Sequence, residues 1–130
     1  MAIMGNDLVN PSTNHIIIFN HVMTNVGNAY NPYTGTFITP FSGTYFFALA
    51  LGSPTAAGGH LGIWLQRNGT QVAYLFFDLH SQYWVKRTDT TAIHMKKGDS
   101  LYAIILTAAG NHTIAGGLHS NLSGFLIQAD

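Results

Sequence analysis

The stretch that decides the fold lies between Phe19 and Phe47: Phe19-Asn20, Val22, Asn25, Gly27, Tyr30-Asn31, Thr34-Gly35, Phe37, Pro40, Gly43, Tyr45 and Phe47, at fixed spacings. Its glycines fall where a chain of short strands must turn, and glycine supplies positive φ at low steric cost. Asn31-Pro32 and Thr39-Pro40 are extended or turn dipeptides, because proline pushes the residue before it out of the helical region. No helix can run through this segment. Tyr30, Phe37, Tyr45 and Phe47 put large aromatic areas on strands a few residues long, which is how a sandwich fills its core.

Outward from this block, apolar runs bounded by Gly, Asn or Pro recur about every ten residues, the rhythm of a sandwich or barrel. Strands are expected near residues 1–5, 15–23, 36–39, 43–51, 60–67, 70–77, 89–95, 100–107 and 118–128. Asn68-Gly69, between two apolar runs, is a two-residue hairpin signal, and Lys96-Lys97-Gly98-Asp99 is a second tight turn. Polar alternation often fails along these strands. Tyr45, Phe47, Leu49 and Leu51 share one face while Phe46, Ala48 and Ala50 share the other, and Leu101, Ala103 and Ile105 oppose Tyr102, Ile104 and Leu106. Successive side chains point to opposite faces of a sheet, so such strands must be covered twice.

The opening block resembles the globular-head signature of the complement C1q family: an aromatic-Asn/Asp pair, then Asn-x-Gly-x-x-Tyr, then Thr-Gly-x-Phe-x-x-Pro-x-x-Gly-x-Tyr-x-Phe. Every position is matched. Gly98-Asp99 before the penultimate strand and Ser123-Gly124-Phe125-Leu126-Ile127 in the last one also resemble the family. The resemblance implies an all-β fold, a C1q/TNF-like jelly-roll β-sandwich of about ten strands forming a single domain over residues 1–130 and assembling as a trimer. In that family the second cover over two-faced strands is the neighbouring subunit.

Composition narrows the function. At 130 residues the chain suits one domain burying roughly two-thirds of its unfolded surface. Charged residues make up 8% of it and there is no Glu, against about 25% charged in an ordinary soluble domain. That shortage argues for oligomerisation through apolar surface. Zero net charge with neutral histidines removes the basic field of a nucleic-acid binder, so no nucleic acid is expected. No apolar run approaches the ~20 residues of a membrane span, so no membrane insertion is expected. Met1-Ala2-Ile3-Met4-Gly5 lacks the charged n-region and apolar core of a signal peptide, and the chain reads as an excised domain or mature product. Sequons at Asn68, Asn111 and Asn121 are compatible with secretion.

Strand parity sends the loops 52–59, 78–88 and 108–117 to one end, and the turns at 68–69 and 96–99 with the C-terminus to the other. Long loops carry binding chemistry more often than tight turns. The candidate ligand-binding residues are therefore Tyr83, Trp84, Lys86, Arg87, Asn111 and His112. An aromatic pair followed by two cations suits stacking on a sugar face beside a salt bridge to carboxylate or phosphate. Trp84 alone reads better as a buried anchor. No nucleophile elbow, phosphate loop, dinucleotide fingerprint or zinc-protease motif occurs, and Asp78, Asp89 and Asp99 fall on different loops. No enzyme is expected, and no cofactor. The seven histidines lack the close pairing with which one element presents two metal ligands. Some C1q-family members bind calcium through Asp residues around the fourth-to-fifth strand hairpin. The corresponding stretch here, residues 67–74, has no carboxylate, so that site is not carried over.

The resemblance implies a secreted, extracellular recognition module of the innate-immune type, a homotrimer binding glycans or microbial surface ligands by multivalent, lectin-like contact. The alternative is a structural or signalling trimer, cerebellin-like or cytokine-like, that binds a protein receptor. A concave polar pocket with an exposed aromatic at the loop end would favour a glycan, and a flat apolar patch a protein.

Overall fold

The computed structural model describes residues 1–54, 59–79 and 84–130. Six long strands carry the fold: β7 (Gly43–Ser53), β8 (Gly59–Arg67), β9 (Thr70–Leu79), β10 (Val85–Met95), β11 (Ser100–Ala109) and β13 (Gly117–Ala129). Short ones fill the gaps: β1 (Ala2–Met4), β2 (Leu8–Val9), β3 (His15–Ile16), β4 (His21–Val22), β5 (Tyr30–Asn31), β6 (Thr36–Ile38) and β12 (Thr113–Ile114), with one 3-10 turn at Val26–Asn28. The first sheet runs β10-β7-β13-β1-β4. The second runs β5-β6-β11-β8-β9 with β3 also on β11, and β12-β2 form a small ribbon. All ladders are antiparallel. Among the described residues no helix is long and apolar enough to cross a membrane.

One face of each two-faced strand turns inward. Tyr45, Phe47, Leu49 and Leu51 of β7 meet Leu61, Ile63 and Leu65 of β8, Leu75 and Phe77 of β9, and Leu101, Ala103 and Ile105 of β11 in one buried core. Phe37, Tyr45 and Phe47 lock at centroid distances of 5.4–5.9 Å, so the opening block supplies an aromatic cluster between the sheets. The outer faces stay apolar. Phe46 and Phe125 pack at 5.3 Å outside the first sheet, and Trp64, Tyr74 and Phe76 line up outside the second.

The expected strand at 15–23 is two strands. His15–Ile16 pairs with β11 and His21–Val22 with β1, so the chain crosses between sheets, burying Ile17 and Phe19 completely on the way. A run apolar at every position can cross a core without choosing a face. The tight turns hold as expected. Asn68 (φ 49°) and Gly69 (φ 83°) both take positive φ in the β8–β9 hairpin, as a type I′ turn requires.

Hydrogen bonds fix the two ends. Asn68 Nδ2 donates to Asp99 Oδ1 (2.9 Å) and Ser100 N donates to Asn68 Oδ1 (2.9 Å), so the two turns clasp each other. The chain end joins them: Asp130 N donates to Ser42 O, and the Asp130 carboxylate meets His94 Nε2 at 2.8 Å. At the opposite end Ala115 N donates to Gly52 O and Ser53 Oγ to Thr113 O. The loops there are shorter than expected, because β7, β8, β9, β10 and β11 all extend further toward that end.

Candidate functional site

The largest correction concerns Lys86 and Arg87. Both lie within β10 rather than in a loop, and among the described residues β10 is an edge strand, laddered only to β7. Arg87 is opposite Leu51, a core residue, and Lys86 is opposite Gly52. Neighbours on a strand face opposite ways, so the doublet is split across the sheet. Arg87 turns toward the open side of the sandwich, its guanidinium carbon 6.0 Å from the centre of the Phe77 ring of β9. Lys86 faces outward, with Nζ 3.4 Å from Leu118 O.

Beside Arg87, the edges of the two sheets are joined by Asp89. Its Oδ2 accepts from Tyr74 N (2.9 Å) on β9 and its Oδ1 from Thr90 N (2.9 Å). Asp89 is thus a strand residue that satisfies a backbone donor on the facing edge.

Trp84 is exposed, not a buried anchor. At 58% exposure its indole lies tilted against His119 at 4.8 Å. Gly52 makes that packing possible, since a Cβ there would press on His119 Cβ at 3.0 Å and on its carbonyl oxygen at 3.2 Å. With no side chain on β7 at this point, β10 and β13 bring Trp84, Lys86 and His119 together at the rim, where Lys86 Nζ lies 3.4 Å from the Leu118 backbone carbonyl. His119 was not legible as a site residue, because only the β7–β13 register places it beside Trp84.

His112 and Asn111 do not join this patch. His112 is buried, with Nδ1 2.9 Å from Gly110 O and Nε2 2.7 Å from Pro11 O. Its backbone N donates to Asn10 Oδ1 and its carbonyl accepts from Asn10 N. Each ring nitrogen faces a backbone carbonyl, so in either neutral tautomer the buried ring is held by a hydrogen bond at the junction of β2 with the β11–β12 connection and is not open to a ligand. Asn111 is exposed, but its backbone is pressed against Gly59, where a Cβ would run into Asn111 O. Tyr83 lies outside the described residues. Among the described residues no group of three or more His, Asp or Glu gathers in metal-binding geometry.

The rim patch therefore offers an exposed indole, an imidazole and one cation on the outer surface of a sheet. It can stack on a planar or apolar group and attract a nearby negative charge. It presents no buried acid, base or nucleophile.

The chain matches a family model described as the C1q domain over residues 1–127. It is 35% identical over 116 residues to complement C1q tumor necrosis factor-related protein 7 of Mus musculus, covering 88% of this chain and 39% of that protein. It is 31% identical over 117 residues to complement C1q tumor necrosis factor-related protein 3 of Homo sapiens, covering 85% of this chain and 44% of that protein. The chain thus spans less than half the length of these relatives. Among solved structures it resembles the globular domain of zebrafish complement 1qA protein, with a TM-score of 0.66 at 18% identity over 96% of this chain and 98% of that one. It also resembles Eiger TNF from S. frugiperda, with a TM-score of 0.68 at 13% identity over 96% of this chain and 87% of that one. These likenesses carry the fold, a jelly roll of two antiparallel sheets. With the opening block seated as the aromatic core and the family model spanning both sheets, the chain belongs to the C1q domain family.

Proposed function

We propose that this chain is an extracellular, homotrimeric, non-catalytic binding module of the structural or signalling kind, whose rim patch engages a protein partner. The observation that carries the reading is the shape and chemistry of that patch. Trp84 stands out from an outer sheet surface, with Lys86 and His119 beside it, rather than lining a concave polar pocket. Protein partners bury aromatic anchors of this sort at the centre of an interface, and glycans favour a pocket. Trimerisation would cover the apolar outer faces and present the patch three times, so that weak contacts act together. The similarity to C1q tumor necrosis factor-related proteins agrees with this direction.

A second reading keeps one specific support. An exposed indole beside a lysine also suits an acidic glycan or a microbial surface ligand, in the manner of innate-immune recognition. One experiment separates the two: the purified protein is applied in parallel to an array of receptor ectodomains and to an array of glycans and bacterial surface molecules, with a Trp84→Ala variant as control. The proposal expects ectodomain binding that the variant loses. Glycan binding lost in the variant, with no ectodomain bound, would establish the second reading instead.

A further inference from the structure

The β8–β9 hairpin turns on Asn68-Gly69, and that pair carries chemistry of its own. An asparagine side chain can cyclise onto the main-chain nitrogen of the next residue, and a glycine there leaves the approach open because it has no Cβ. Both residues are exposed, and nothing lies within 4 Å of the place a Gly69 Cβ would take. Asn68 N donates to Ser100 O (3.0 Å), whereas Gly69 N has no hydrogen-bond partner among the described residues. The nucleophile of the cyclisation is therefore open to water and to any base in it.

The electrophile is restrained instead. Asn68 Nδ2 donates to Asp99 Oδ1 (2.9 Å), and Asn68 Oδ1 accepts from Ser100 N (2.9 Å) and Ser100 Oγ (3.2 Å). Both ends of the carboxamide are thus tied to the β10–β11 turn, and Cγ cannot swing onto Gly69 N until those bonds give way. Asp99 is fixed in turn from its own side, where its Oδ2 accepts from Lys96 N (2.9 Å). The bonds that clasp the two turns are the same ones that hold Asn68 back.

We propose that Asn68 is a deamidation site held in check by its clasp with Asp99 and Ser100, and that its conversion to an acid unclasps the two turns. In the first step the Gly69 N–Cγ bond forms and the Cγ–Nδ2 bond breaks. Nδ2 leaves as ammonia, taking the proton that Gly69 N gives up. Water then opens the succinimide: attack at Cγ yields aspartate at position 68, and attack at the Asn68 main-chain carbonyl carbon yields isoaspartate, with the chain rerouted through the side chain. Water is the only co-reactant.

Either product puts a carboxylate where Asp99 met a donor. In the aspartate product an oxygen takes the place of Nδ2, 2.9 Å from Asp99 Oδ1, and two carboxylates so close do not both stay ionised. Isoaspartate also adds a methylene to the main chain inside a two-residue turn that has no room for it. The Asn68 side chain is the first cause, and the Lys96 N–H the second, that hold the Asp99 carboxyl below its ordinary value; deamidation removes the first and sets a like charge in its place. The other charged and titratable groups at this end, Arg67 of β8, Lys96 and Lys97 of the same turn and the His94–Asp130 pair, are common to both forms. The pH dependence therefore reverses. The parent clasp is whole above the unfolded-state value of ~3.9 and is lost in acid, whereas the aspartate form is strained at neutral pH and recovers as acid supplies one proton to the pair.

The test uses protein made in bacteria, so that the sequon at Asn68 carries no glycan on the same nitrogen. It is kept warm at neutral pH for weeks in isotopically labelled water, folded or in urea, and mapped by mass spectrometry. Labelled oxygen should enter residue 68 slowly in the folded protein and about tenfold or more faster in the unfolded chain. Asp99→Ala should raise the folded-state rate about tenfold, the worth of a hydrogen bond to a charged group. Ser100→Ala should raise it by a smaller factor and carries the test if Asp99→Ala does not fold. Hydrogen exchange of the β7 amides should stay slow in both variants, showing that the turn has opened and not the core. Separately, Asn68→Asp should melt below the parent at neutral pH, by a gap that narrows as pH falls toward ~4. Equal rates in the folded and unfolded chain would overturn the restraint, and so would variant rates that match the parent or rise only in step with β7 exchange. A gap that holds constant or widens in acid would overturn the charge conflict.

Discussion

The Asp89 carboxylate is a clasp between sheet edges, and its removal should be costly beyond the strand that carries it. It accepts Tyr74 N across the gap between β10 and β9 and Thr90 N within its own strand, each at 2.9 Å. A hydrogen bond to a charged group contributes about 1.5–3 kcal/mol. Asp89 is only half-buried, so water can replace part of that, and the Thr90 bond is local; about 1.5 kcal/mol is the reasonable loss for Asp89→Ala. An unfolding entropy of about 2.1 cal/mol/K per residue over 130 residues gives about 270 cal/mol/K, and hence a fall in Tm of about 5 °C. Trimer formation leaves that figure nearly unchanged, because the loss and the entropy both scale with the number of subunits. Asp89→Asn, which keeps one acceptor without the charge, should fall between. The assay is calorimetry at fixed protein concentration, with hydrogen exchange on the Tyr74 amide, which should exchange faster in the variant. A Tm within about 1 °C of the parent, with Tyr74 still protected, would refute the idea that a side chain closes this side of the sandwich.

Four further outcomes are expected. Light scattering at micromolar concentration should give about three times the chain mass of 14.1 kDa, from an interface above roughly 2,000 Å², and Phe125→Asp should cost assembly while leaving the fold; a stable parent monomer would sink this. Chelator should leave the Tm unchanged, since a cation bound only to the native state would add stability by mass action; a shift of several degrees restored by calcium would reveal a site. Hydrogen bonds from the Asn68 side chain and then the Lys96 backbone N–H hold the Asp99 carboxyl below its ordinary value. Its stabilisation is thus present above the unfolded-state value of ~3.9 and is lost as pH falls through the lower folded-state value. Asn68→Ala should flatten that acid-side dependence of Tm. Finally, Lys86→Ala should weaken binding of acidic ligands in a salt-dependent way without changing the Tm, whereas Arg87→Ala should cost about 0.5–1 kcal/mol through its lost contact with Phe77 and leave binding intact; equal behaviour of the two would contradict their separation across the sheet.

What the sequence could and could not reveal follows from where local pattern carries information. Tyr45, Phe47, Leu49 and Leu51 announce their face because a two-residue period is local, and the Asn68-Gly69 turn is equally local because it needs two adjacent positive φ values. The beginning of β10 was hidden for the opposite reason. At an open edge of a sandwich the inward face is itself wet, so Arg87, Asp89 and Thr91 are polar on the side that would otherwise be apolar, and residues 85–88 look like the end of a loop. A loop at that start would leave Lys86 and Arg87 side by side as a cation pair, although one residue of strand is enough to send them apart.

The same reasoning explains the histidines. His112 looked like a loop residue free to bind, but the carbonyl of Pro11 that occupies its Nε2 is 101 positions away in the chain, and no local pattern reports such a partner. His119 looked like one histidine among seven, yet register alone sets it beside Trp84 across the bare surface of Gly52. The core was legible because each residue had only to choose between two faces. A binding patch on a sandwich is assembled from strands distant in sequence, so its members become visible only when register does. The rim at Gly52 is a consequence of where β13 stands relative to its neighbours rather than of any motif within it.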